Sequence, residues 1–287
     1  MHLDWYASGF RQTGLSTTPF VDPFWYPKVL PDENNTTLIL AGDIWTGTKF
    51  INYMEYSWIS KVASRFKQVL VVLGNHDYWP GNDALTIKDG GKHANELLNN
   101  MGVLNVKVLD CDIHQDDDVL YVGATLWTDM SNSDPIKMVS METVMSHDGK
   151  IAYETEPNGK WIRFTSQKWI DTHYRHLDYI KHVARENRNK KVVVITHHAP
   201  LTNLVDSSYA NDFLNSYFSN DLGDFILDNQ NIVNWCYGHT HHFIDKQLEH
   251  CRIMSNPVGY KSENRELKGL IQHSTHDVGQ MSSQLIY

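Results

Sequence analysis

One pattern, met four times along this chain, constrains its fold more than any other. A short apolar run stops abruptly at glycine or threonine and is followed by a small knot of Asp, Asn or His. The runs are Thr37-Leu38-Ile39-Leu40-Ala41, Val69-Leu70-Val71-Val72-Leu73, Val192–Ile195 and Asn231–Tyr237. The knots are Gly42-Asp43, Gly74-Asn75-His76-Asp77, Thr196-His197-His198 and Gly238-His239-Thr240-His241. Short runs of β-branched and aliphatic residues bounded by turn formers read as buried strands. Helical periodicity fills much of the space between them. Ile51, Met54, Trp58, Ile59 and Val62 fall roughly on one face over about 48–66, and Trp169, Leu177, Ile180 and Val183 do so over Ser166–Glu186. A shorter helix is expected around His93–Met101, with further strands at Val106–Leu109, Leu120–Leu126 and Cys251–Met254. Strands that alternate with helices give an α/β class with layered sheets. No linker divides the chain, so one domain is expected over 1–287. Residues 129–165 are polar and lack a clear period. They are expected to form an irregular insertion, with a short helix near Met138–Met145.

Rigid strands aim short loops into one crevice, which is why sites are built at strand ends in such folds. The side chains offered here are carboxylate, amide and imidazole, ligands that suit divalent Mn, Fe, Zn, Ni or Co. Taken singly, a Gly-Asp after a strand is a turn and a lone His is a packed or surface residue. The ordered set of four carries the inference. The net charge of -9 gives no general attraction for a polyanion, so extended nucleic acid is not expected as a partner. A bound cation would be the largest local charge at a phosphate site. Cys111, Cys236 and Cys251 show no close pairing, so neither a disulfide nor a cysteine zinc site is expected, and a cytoplasmic setting is the simplest. No stretch approaches the roughly 20 apolar residues of a membrane helix, and no secretory signal is visible.

The order Gly-Asp, Gly-Asn-His-Asp, His, Gly-His-x-His resembles the calcineurin-like metallophosphoesterase superfamily over Asp43–His241. The resemblance implies a four-layer α/β/β/α sandwich around two divalent metal ions. Asp43 would bridge both ions, Asn75, His197 and His239 would complete one, and His241 would bind the other. His2 is similar to the histidine of the family's Asp-x-His motif. The aspartate and its strand would then lie ahead of Met1, as expected of a truncated start; a natural loss that weakens one metal site is the alternative. The two ions would make hydroxide available to attack phosphorus. His76, which is not a ligand in the family, would protonate the leaving oxygen, and Asp77 would orient His76. Asn256 and Tyr260 could line the site. His198 and His242 read as packing or surface residues and Trp127 as core. Ile44-Trp45-Thr46-Gly47 stands where the family's serine/threonine protein phosphatases carry Asp-Arg-Gly, so a small phosphomonoester or phosphodiester is the expected substrate. The alternative is a catalytically silent member that serves as a binding module. Residues 129–165 are expected to border the mouth of the site.

Overall fold

Alternate residues of a strand face opposite ways, and in this protein that alternation sorts the apolar runs into three cores. In the computed structural model, residues 29, 31–45, 53–78, 85–147, 153–155, 161–205 and 212–259 are described. His2, Tyr260 and the start of the helix expected from 48 lie outside them. A three-stranded parallel sheet has the order β1 (Thr37–Ala41), β2 (Gln68–Val72), β3 (Val106–Val108). A six-stranded sheet contains β4 (Asp112–Asp116), β5 (Val119–Ala124), β8 (Lys191–Thr196), β9 (Ile232–Cys236), β10 (Ile244–Leu248) and β11 (Cys251–Ser255). Its order is β10-β11-β9-β8-β5-β4, with the four central strands parallel and both edges antiparallel.

Ile39, Leu70 and Val72 of the small sheet meet Val119, Tyr121, Val193, Ile195, Cys236 and Met254 of the large one in a sealed inner layer. Leu38, Leu40, Val69 and Val71 face the other way, onto α1 (Tyr53–Ala63) and α2 (Gly90–Asn100) through Trp58, Ile59, Val62, Ala94 and Leu98. Leu120, Val122, Val192 and Val194 cover the outer face of the large sheet. They pack on Leu177, Ile180, Val183 and Ala184 of α4 (Ser166–Glu186), which Thr165 caps by accepting from the Lys168 N–H. The layers therefore run helix, sheet, sheet, helix. Burying each such aliphatic side chain stabilises by about 1.5–3 kcal/mol. An exposed ion pair such as Lys67–Asp116 contributes about 0–1 kcal/mol, so the three cores determine the arrangement.

Two strands of the large sheet escape the sequence reading. Asp112–Asp116 (DIHQD) and Ile244–Leu248 (IDKQL) are largely polar edge strands, held by backbone pairing to β5 and β11 rather than by an apolar face. The insertion is also more regular than expected. The helix expected near Met138–Met145 is present and longer at both ends, as α3 (Pro135–His147), and a hairpin of β6 (Tyr153–Thr155) and β7 (Trp161–Arg163) was not expected. Ile136 and Val139 are exposed on α3, which is why no amphipathic period could be read there. Lys137 of this helix donates to the Phe213 carbonyl and lies over the Phe213 ring. That joins the insertion to the segment beside the candidate site. Among the described residues no helix is long and apolar enough to cross a membrane, and all three cysteines are free thiols.

Candidate metal centre at the strand ends

Four polar knots emerge from the C-terminal ends of β1, β2, β8 and β9, and three of their glycines are required by close approach. A Cβ on Gly42 would overlap the His197 ring, one on Gly74 would overlap the Asp43 carboxylate, and one on Gly238 would fall 2.5 Å from the Ala41 carbonyl oxygen. Gly42 also has φ +88°, a conformation open to glycine at little cost. Three non-glycine residues nearby are left-handed too: Asp43 (φ 55°), His239 (φ 67°) and His241 (φ 48°). Such backbone costs of the order of 1–3 kcal/mol and collects where surrounding structure enforces it for a purpose.

These turns bring Asp43, Asn75, His197 and His239 together. His197 Nδ1 lies 2.8 Å from the Ala41 carbonyl oxygen, which can only accept, so the neutral ring carries its hydrogen there and leaves Nε2 bare. That bare nitrogen lies 3.0 Å from Asn75 Oδ1, 3.1 Å from His239 Nδ1 and 3.3 Å from Asp43 Oδ2. Asp43, Asn75 and His197 are buried; His239 is half-buried as a residue, but its imidazole is enclosed. Lone pairs that face one another in a buried space repel unless positive charge sits among them. A proton on His197 would serve one or two of these partners, whereas a metal ion serves all. Ligands about 2.1 Å from one cation stand roughly 3.0–3.4 Å apart, so the donor set fits a divalent metal ion in both chemistry and spacing. His241 and Asn256 line the same pocket beside Asp43 and His239.

His76 is half-buried at the head of a short 3-10 turn, and its backbone N–H donates to Asp43 Oδ1 at 2.9 Å. Asp77 differs from its expected role. Its two oxygens accept from the backbone N–H groups of Gly74 (2.7 Å), Asp43 (2.9 Å) and Trp45 (2.7 Å), so it ties the ends of β1 and β2 together instead of orienting His76. Burial, then the neighbouring Asp43 charge, raises its carboxyl to about 7 against the pull of the Gly74 and Trp45 N–H groups. His198 is fully buried between Trp127, Trp169 and His239, with ring centroids 5.4, 5.5 and 4.4 Å away. Trp127 is core. His242 is half-buried.

Sequence reasoning missed the aromatic wall of this centre. Tyr217 and Phe218 on α5 (Asn215–Phe218) place their rings 5.2 and 4.9 Å from His239. Nothing in Asn215-Ser216-Tyr217-Phe218 signals it, because a four-residue helix has no period to read. A second group, Asp110, Cys111 and His176, also lies close together but does not offer a ligand set. His176 Nδ1 accepts from the Leu126 N–H at 3.2 Å, and the Arg175 guanidinium stands 3.4 Å from Nε2, where its charge opposes a cation. Burial pushes the Cys111 thiol up to about 12.

The α/β/β/α sandwich and its strand-end cluster define a phosphoesterase architecture, and the family model for calcineurin-like phosphoesterases matches residues 23–243. The chain belongs to that family. It is 29% identical over 235 residues to the uncharacterized protein L509 of Acanthamoeba polyphaga mimivirus, a match that covers 79% of each chain. Its fold is similar to that of the phosphopantetheinyl hydrolase PptH from Mycobacterium tuberculosis, with a TM-score of 0.61 and 17% identity over 88% of this chain and 91% of that one.

Proposed function

We propose that this protein hydrolyses a small phosphomonoester or phosphodiester with two divalent cations held at the strand ends. Family membership supports metal-dependent phosphoester hydrolysis in general. The observation that carries the finer reading is the convergence of Asp43, Asn75, His197 and His239 beside His76. When bound, divalent cations lower the pKa of water and neutralise charge on a phosphoryl group. Asp43, Asn75, His197 and His239 would hold one ion. Asp43 would also reach the second, with His241 and His2. His76 is the general acid that returns a proton to the leaving oxygen, and Asp77 keeps the Asp43 and Asn75 loops in place. The aromatic wall of Tyr217 and Phe218 excludes water from one side.

The test combines metal analysis with a substrate screen of phosphomonoesters, phosphodiesters and a phosphopantetheinyl compound, the last because the fold neighbour is named for that group. Mn, Fe, Zn, Ni and Co are each supplied. His239→Ala is expected to lower metal content and turnover together. His76→Ala should leave metal content nearly unchanged and cut turnover roughly a hundredfold to ten-thousandfold, with a smaller loss on an activated aryl phosphate that needs little protonation. Full metal content in His239→Ala would remove the ligand assignment. Metal bound tightly by wild type with no phosphoester cleaved would favour a silent binding module.

A further inference from the structure

We propose that Tyr217 is a positioning residue of the metal centre: its phenol oxygen takes an amide hydrogen of Asn75 and so turns Asn75 Oδ1 toward the cluster. The inference rests on the metal-binding reading above.

The two ends of an asparagine amide are nearly the same shape and opposite in chemistry. A cation requires the oxygen. The inner neighbour, His197, would choose wrongly if left to itself: its bare Nε2 would draw the NH2 end as a donor. The outer neighbour offsets that draw. Tyr217 Oη stands 2.9 Å from Asn75 Nδ2 and accepts from it; a cation on the inner side would take the oxygen, and the hydroxyl would hold the amide in that orientation.

Tyr217 is aimed by groups other than Asn75. Its ring packs 5.0 Å from Trp169 and 5.2 Å from His239. Its helix is pinned at its end: Ala199 N–H donates to the Phe218 carbonyl at 3.1 Å, and Asn220 N–H donates to the Ala199 carbonyl at 3.0 Å. Asn220 Nδ2 donates to the Trp127 carbonyl at 2.9 Å, and Asn220 Oδ1 accepts from the Asp129 N–H at 3.3 Å. Removal of the hydroxyl alone therefore leaves the ring where it is and frees the amide to turn. The Asn75 oxygen would then meet the ion only part of the time.

The experiment measures affinity for Zn and for Mn by competition with a chromophoric chelator, on wild type, Tyr217→Phe, Asn75→Ala, the double variant and His239→Ala. Tyr217→Phe is expected to bind one ion about tenfold to a hundredfold more weakly, with the melting temperature of the metal-stripped protein unchanged. In the Asn75→Ala background the same substitution should change nothing further, because the group it positions is gone. Wild-type affinity in Tyr217→Phe overturns the inference, as does an equal loss in both backgrounds or a loss that tracks a lowered melting temperature. His239→Ala separates the two levels: if it weakens binding while Tyr217→Phe does not, only the role of Tyr217 falls. If neither weakens binding, the metal reading falls with it.

Discussion

A carboxylate with no exposed surface has to be matched by donors, and Asp77 finds three of them in the backbone of the two loops it joins. Replacement by asparagine keeps the shape but turns one oxygen into an NH2 that faces backbone N–H groups. Asp77→Asn is therefore expected to destabilise by roughly 1–3 kcal/mol, the cost of buried donors left unmatched. It should also weaken metal binding, because Asp43 and Asn75 sit on the tethered loops. The shift of the urea midpoint measures the first effect and chelator competition the second; an unchanged midpoint would deny Asp77 its tethering part. At this scale the order of the knots was enough to single out Asp43, Asn75, His197 and His239, which the structure brings together, and His241, which lines the same pocket. The sequence misdirected the reading of Asp77, because adjacency to His76 suggests a pair, whereas the carboxylate turns back to backbone groups at Gly74, Asp43 and Trp45.

At the scale of elements, the tight junction of strand ends explains why two glycines should respond differently to one change. Gly74 has the Asp43 carboxylate and backbone where a Cβ would go, whereas Gly102, at φ +78° after α2, has nothing within 4 Å. Gly102→Ala should cost only the left-handed strain, about 1–2 kcal/mol. Gly74→Ala must push β1 and β2 apart at the cluster, so it should cost more than that and abolish tight metal binding. Denaturant titration of both variants, with metal content, checks the contrast; equal costs and equal metal content would count against close approach as the reason for Gly74. The helix Ser166–Glu186 and the strand Thr37–Ala41 were legible to the residue because each has a complete apolar face. The edge strands Asp112–Asp116 and Ile244–Leu248 were not, since an edge needs backbone partners more than side-chain burial. The helix with Tyr217 is fixed by Ala199, Trp127 and Asp129, contacts that no local stretch of sequence reveals.

Across the whole molecule, ionisation far from the cluster should shape stability. Asp110, just beyond β3, is held at about 6, chiefly by burial. The Gly91 N–H and Arg175 pull its pKa down, and Asp112 and Asp89 push it up; His176 Nε2 stands 3.9 Å away. The folded value lies above the ordinary 3.8, so the fold favours the neutral acid. That contribution is fully present below about pH 4 and is lost as pH rises through 6, a change of about 3 kcal/mol. Asp110→Asn should therefore gain stability relative to wild type between pH 4 and 7, measured as the difference of their urea midpoints; a difference independent of pH would remove the assignment. The cluster has a consequence on this same scale. Asp43 and Asn75 follow strands of the small sheet, and His197 and His239 follow strands of the large one. Ligands drawn from two sheets stacked face to face behave like a vernier, whose marks coincide at one setting only. Any replacement in the inner layer that slides one sheet a few tenths of an ångström past the other would detune all four donors at once, so the affinity of the centre for its ion becomes a gauge of alignment between two surfaces that never touch the ion.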